Sequence, residues 1–168
     1  MRTGRRRTWA RIITTALTLG MMVLIFAFSS QDAYRSNETS ARVSEWVAER
    51  VMPEYRRMPP PQRRGVIENM QHIIRKSAHF LEYTILGFLM RCCLEAWYPG
   101  RRRLPVLSWA AGTLYAATDE AHQLLVDGRG AQLADVALDS CGVLAGVGLA
   151  MLLIRYIRKR EEAQEGCP

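Results

Sequence analysis

The stretch Arg75-Lys76-Ser77-Ala78-His79-Phe80-Leu81-Glu82-Tyr83 decides how the chain is to be read. It opens an apolar run that continues to Trp97, yet it carries Lys76, His79 and Glu82 three residues apart. Ionisable groups at the middle of a bilayer are penalised by roughly 2.5–3.5 kcal/mol each on insertion scales, and by less towards its edge. Groups kept at such a cost mark a functional site by default, and their partners have to be found elsewhere in the chain.

Working outward, the same kind of run occurs four times. Apolar residues are 49% of the 168, gathered into blocks rather than spread at strand or surface-helix period. This predicts an all-α, polytopic membrane bundle with transmembrane helices over about 9–29, 78–97, 104–125 and 136–157, forming one domain over 1–168. The near-zero mean hydropathy comes from the polar, Arg-rich loop 30–77. A net charge of +7 raises nucleic acid as a partner, but the basic residues flank apolar runs and no nucleic-acid-binding motif is present, so no nucleic-acid role is expected. Cys92, Cys93, Cys141 and Cys167 form neither a disulfide framework nor a CxxC pair.

Residues 12–28 are free of charge after Arg2, Arg5, Arg6, Arg7 and Arg11. That pattern suits a first transmembrane helix or a signal peptide with Ala27-Phe28-Ser29 as a cleavage site, and a retained helix is expected. In the loop, Val43, Trp46, Val47 and Val51 recur at helical spacing, with Asn37 available as N-cap, predicting an amphipathic helix over about 38–51 that lies on the membrane or against the bundle. Met58-Pro59-Pro60-Pro61 breaks it. Val66, Met70, Ile73 and Ile74 begin a second amphipathic helix that runs on into the second span. The basic flanks at the N-terminus, at Arg101-Arg102-Arg103 and at Arg158-Lys159-Arg160 place both termini in the cytoplasm, at the cell membrane. The loop 29–77 also holds many Arg residues, but it is long and carries six acidic ones.

On that topology the unusual polar residues fall in one outer layer: Ser30 and Gln31; Lys76, His79 and Glu82; Asp119, Glu120, His122 and Gln123; Arg129; Asp135 and Asp139. At about 100° per residue, Lys76, His79 and Tyr83 share a face, as do Tyr115, Asp119 and His122, and Asp135, Asp139, Gly142 and Gly146. Glu120 points away from His122, towards Arg129 or the loop. The Gly142-xxx-Gly146 spacing lets another helix approach closely. The candidate pocket holds five carboxylates, Glu82, Asp119, Glu120, Asp135 and Asp139, against the firm cations Lys76 and Arg129. Such an excess suits a cation, a protonated histidine or a carboxyl group that keeps its proton.

Simpler roles exist for these residues. Asp135 is placed to cap the fourth span, Lys76 to snorkel, and Arg91 and Glu95 to pair at i, i+4. Interhelical polar pairs contribute only ~0.6 kcal/mol on average, so packing alone gains little from them. A divalent metal remains open as a cofactor, since His and carboxylates are suitable ligands, but the spacings do not match HExxH. GxSxG is absent around Ser30 and Ser77.

The ordered set Ser29-Ser30-Gln31, Lys76-x-x-His79-Phe80-x-Glu82-Tyr83, Asp119-Glu120-x-His122-Gln123, Arg129 and Asp135-x-x-x-Asp139-x-x-Gly142 resembles the VanZ-like family of small bacterial membrane proteins. The resemblance covers the chain from the first span to the fourth. It implies a link to resistance against teicoplanin-type glycopeptides, and no reaction. The family often has an aromatic residue and Pro-Gly before the arginine, where this chain has Leu124-Leu125-Val126-Asp127-Gly128. Three functions follow. In the first, an outward-facing site modifies a lipid or other cell-envelope component, with His79, Glu82, Asp119, His122 and Asp139 doing the chemistry. Lys76, Tyr83, Gln123, Arg129, Ser30, Gln31, Glu120 and Asp135 would then hold the substrate, Lys76 and Arg129 meeting an anionic head group. The second is a non-catalytic protein that binds or excludes a ligand such as a lipoglycopeptide. The third and weakest is a proton-coupled transporter.

Overall fold

The computed structural model describes residues 2–31, 33–126, 130 and 132–165. They form five α-helices and a 3-10 turn: α1 (Arg2–Ser29), α2 (Ala33–Val51), the turn Tyr55–Arg57, α3 (Pro60–Trp97), α4 (Leu104–Gln123) and α5 (Leu133–Glu165). No strand occurs among the described residues. Helices α1 and α5 contain segments, Arg7–Ser29 and Leu133–Gln164, that are long and apolar enough to cross a membrane.

Helix α1 is apolar around most of its girth. Ile12, Ile13, Leu17, Val23, Leu24 and Phe28 are exposed, while Ile25 is buried against the bundle. The run ends at Ser29, as the Ser29-Ser30-Gln31 stop predicts. Helix α2 begins at Ala33, earlier than expected, so Asn37 lies inside the helix and is not its N-cap. The reason is tertiary. Arg75 of α3 donates to the Asn37 side-chain oxygen and Gln71 Nε2 donates to its carbonyl at 3.3 Å, partners that outweigh a local capping preference. Small residues of α2, Ser40, Ser44 and Ala48, are buried, whereas Val43, Trp46 and Val51 point outward.

Helix α3 starts at Pro60, whose missing N–H is no loss in a first turn. It then continues without a break through the loop segment into the apolar run, as its pattern predicts. It closes at a turn in which Gly100 adopts φ 79°, a conformation that needs glycine. The Gly100 N–H donates to Glu95 Oε1 at 3.0 Å. Arg91 lies 2.8 Å from Glu95, the i, i+4 pair expected, and Arg158 of α5 joins it. Helix α5 extends beyond the expected end near 157 because Arg158-Lys159-Arg160-Glu161-Glu162 contains no helix breaker.

Helices α3 and α5 run in parallel and share the most extensive interface, with α1 and α4 antiparallel beside them. Three glycines bring the two backbones together. A Cβ on Gly87 would lie 2.3 Å from the Val143 carbonyl oxygen, one on Gly142 2.6 Å from that of Phe80, and one on Gly146 1.9 Å from that of Thr84. Tyr83, Leu86, Ala116, Val143, Val147 and Ile25 form the buried core around this contact. Inserting a methyl group where backbone blocks it costs about 1–3 kcal/mol or more. Gly146→Ala is therefore expected to lower the unfolding temperature of the detergent-solubilised protein clearly. Gly148→Ala, whose Cβ meets nothing within 4 Å, should leave it unchanged. Equal melting of the two variants would refute the interface.

Candidate functional site

The parallel register of α3 and α5 brings two basic residues of one helix beside two acidic residues of the other. Lys76 Nζ lies 2.9 Å from Asp135 Oδ1. One turn further, His79 Nδ1 lies 3.7 Å from Asp139 Oδ2, an ion-pair contact longer than a hydrogen bond. Asp135 sits in the first turn of α5, where the helix dipole favours a carboxylate, and its side chain is committed to Lys76 rather than left in water. Asp139 is only 2% exposed, and its Oδ1 has no hydrogen-bond partner.

Helix α4 supplies the third wall. Tyr83 OH donates to Asp119 Oδ2 at 3.2 Å and Gln123 Nε2 approaches the same oxygen at 3.5 Å. Asp119 Oδ1 is buried with no hydrogen-bond partner. Glu120 turns to the loop, as its phase predicts, and accepts the Gln132 backbone N–H at 2.6 Å. Arg129, the other partner expected for Glu120, lies outside the described residues.

Lys76, His79, Glu120, Gln123, Asp135 and Asp139 wall a cavity of about 250 Å³, which Tyr83 and Asp119 do not line. A liquid water takes about 30 Å³, so there is room for several small groups. His79 also borders a second space, a groove of about 420 Å³ between α1, α2 and α3, into which Glu82 and Gln31 project. The two spaces meet at His79 and Arg75, both of which line each of them.

The expected face Tyr115-Asp119-His122 is divided among neighbours. Asp119 meets α3, but Tyr115 OH donates to the Met22 carbonyl of α1 at 2.6 Å. His122 likewise faces α1: Nε2 lies 3.2 Å from Ser30 Oγ and the ring stacks on Phe26 with centroids 4.6 Å apart. It does not line the cavity that holds His79. A 100° step groups residues along one helix but does not say which neighbour each one meets. Among the described residues no group of three or more His, Cys, Asp or Glu side chains is arranged to hold a metal ion.

Three residues that are not among the candidate site residues of the sequence line these spaces: His72, Arg75 and Ser29. Arg75 precedes Glu82 by seven residues, two helical turns, so the same phase reading would place both on the groove side.

The family model VanZ/LLP1 matches residues 14–155. That range holds every contact of the cavity, and the chain belongs to the VanZ/LLP1 family, as its motifs led us to expect. Family membership and the two apolar helices together make it a membrane protein. No curated protein and no solved structure matches the chain.

The Lys76–Asp135 pair is about one-third exposed on both sides, so its contribution to stability is held to about 0.2–1 kcal/mol by solvent screening. Lys76→Asp and Asp135→Lys should each lower the unfolding temperature in detergent, and the exchanged pair should regain most of the loss. Additive losses in the double variant would mean that the two side chains do not interact.

Proposed function

We propose that the chain is one four-span membrane domain with both termini in the cytoplasm, and that its cavity opens at the outer face and acts by acid–base chemistry on a lipid or other envelope component. The observation that carries this reading is a histidine set against a nine-tenths-buried aspartate, on the wall of a polar cavity in an otherwise apolar bundle.

Four spans are supported by what faces outward. On α3 and α4, Leu81, Ile85, Val106, Leu107 and Leu114 are exposed, while Asp119, Glu120, Gln123 and Arg91 are buried. A water-soluble bundle reverses that arrangement. The polar stripes lower the hydropathy of α3 and α4 without facing lipid. The outward Val43, Trp46 and Val51 suit α2 to lie in the outer interface, with Arg50 stacked on Trp46 at 3.8 Å.

In the mechanism, Asp139 fixes the His79 ring through Nδ1, leaving Nε2 free to take or give a proton at the substrate. The 3.7 Å separation shortens when a substrate excludes water, since hydrogen bonds between catalytic groups often tighten only in the substrate complex. Tyr83 and Gln123 hold Asp119 beside them. Lys76 and Asp135 form the rim, Gln31 and Glu82 bound the groove, and Glu120 anchors the loop. His122, engaged by Ser30, acts from the α1 side.

A non-catalytic binding site is the second reading, favoured by that same long His79–Asp139 separation. Transport is disfavoured because Leu86, Val143 and Val147 fill the bundle between the two polar ends, which leaves no relay across it. The family link to glycopeptide resistance supports an envelope target.

Proton transfer by a positioned side chain contributes typically about 10²–10⁴-fold. His79→Gln and Asp139→Asn should therefore each abolish teicoplanin protection and any change in envelope lipids or glycans seen by mass spectrometry, at unchanged protein levels in the membrane. Full activity in both variants would end the catalytic reading. Retained ligand binding by the parent with no envelope change would establish the second.

A further inference from the structure

The groove between α1, α2 and α3 combines an apolar wall with polar atoms that have no hydrogen-bond partner among the described residues. Ile25, Phe28, Val43, Ile74 and Ala78 line it. Into it come Arg75 and Ser29, and each contributes a buried atom, Arg75 Nε and Ser29 Oγ, without a hydrogen-bond partner. Ser29 is only 2% exposed.

Arg75 stands apart from the other cations of this end. Lys76 is neutralised by Asp135, and His79 faces Asp139. Arg75 has no carboxylate within ion-pair distance among the described residues and bonds only to the neutral side chain of Asn37. A guanidinium in a half-buried position ordinarily finds an anion, because its charge is poorly solvated there and its planar donors suit a carboxylate or phosphate. Among the described residues there is none, although Asp119 and Glu120 of α4 and Asp135 and Asp139 of α5 lie on neighbouring helices. Both unpartnered atoms can donate a hydrogen bond, so the complement is an acceptor group bearing negative charge.

We infer that this groove binds a phosphate-bearing membrane lipid, with its phosphate on Arg75 and Ser29 and an acyl or isoprenyl chain along Ile25, Phe28, Val43 and Ile74. The inference deepens the proposed reading and rests on it for the nature of the target. The phosphate then lies at the junction of the two spaces, and the part of the head group beyond it reaches the cavity that contains His79 and Asp139. Apolar walls select a lipid over a free anion, because inorganic phosphate leaves the Ile25–Phe28–Val43 surface uncovered. Helix α2 closes over the groove through its contacts with Gln71 and Arg75, so the same arginine joins the covering helix to the ligand.

The test is lipid binding to the full chain in detergent, followed by native mass spectrometry with phosphatidylglycerol, with diacylglycerol as the uncharged probe and inorganic phosphate as competitor. The parent should prefer phosphatidylglycerol, and excess phosphate should displace it weakly. Arg75→Gln should weaken phosphatidylglycerol binding by about tenfold or more, the usual scale of a lost charge-assisted bond, and leave diacylglycerol unaffected. Ala78→Phe, which obstructs the groove and keeps the charge, should weaken both lipids. Loss of phosphatidylglycerol selectivity in Arg75→Gln stands whether or not His79→Gln and Asp139→Asn alter the envelope, which separates a failure of this assignment from a failure of the acid–base reading. Unchanged lipid selectivity in Arg75→Gln would overturn the proposal. So would displacement by phosphate as effective as by the lipid itself.

Discussion

The close contact of α3 and α5 is the constraint from which the other features follow. Two helices carrying bulky side chains at their interface stay about 8–10 Å apart. Gly87, Gly142 and Gly146 remove the side chains that would enforce that distance, and backbone meets backbone. Once the helices are fixed in parallel at this register, Lys76 must meet Asp135 and His79 must meet Asp139. The same register sets Arg158 beside Glu95 at the opposite end. In a bilayer there is no hydrophobic force between helices to hold such an arrangement, so tight packing of small residues and polar contacts have to supply it.

The distribution of polarity gives the same picture from a different direction. The outer surface of the bundle is largely Leu, Ile, Val and Phe, and its buried positions include Asp119, Asp139, Glu120 and Gln123. Burying several carboxylates in one small region is costly unless each is paired or hydrogen-bonded. Here the pairing is partial. Asp119 and Asp139 each retain an oxygen with no hydrogen-bond partner among the described residues. A purely structural bundle gains nothing from that, whereas the proposed site would use such oxygens to accept protons or ligand donors.

Much of this was legible in the chain. The stop at Ser29, the continuous passage from the loop helix into the second apolar run, the Gly142-xxx-Gly146 contact and the Arg91–Glu95 pair all follow from local spacing. The family was legible too, from ordered motifs. Neighbour choice was not. Helical phase put Tyr115, Asp119 and His122 together, but the bundle turns Asp119 to α3 and the other two to α1, because a face wide enough to hold three residues spans two partners. Asn37 read as a cap and serves instead as an acceptor for Arg75. Arg75 itself was hidden by the adjacent Lys76: two neighbouring cations on a helix point about 100° apart, and spacing does not say that Lys76 meets a carboxylate while Arg75 meets none among the described residues.

The account's central claim is that α3 and α5 hold His79 against Asp139 in the membrane-embedded protein. Cysteines placed at 79 and 139, in a chain whose four native cysteines have been replaced, test this directly in native membranes. A short bis-methanethiosulfonate reagent added from outside should join them within one chain in high yield, and should join a pair at 122 and 139 poorly. Ready single labelling of both positions with no link between 79 and 139 would contradict the account.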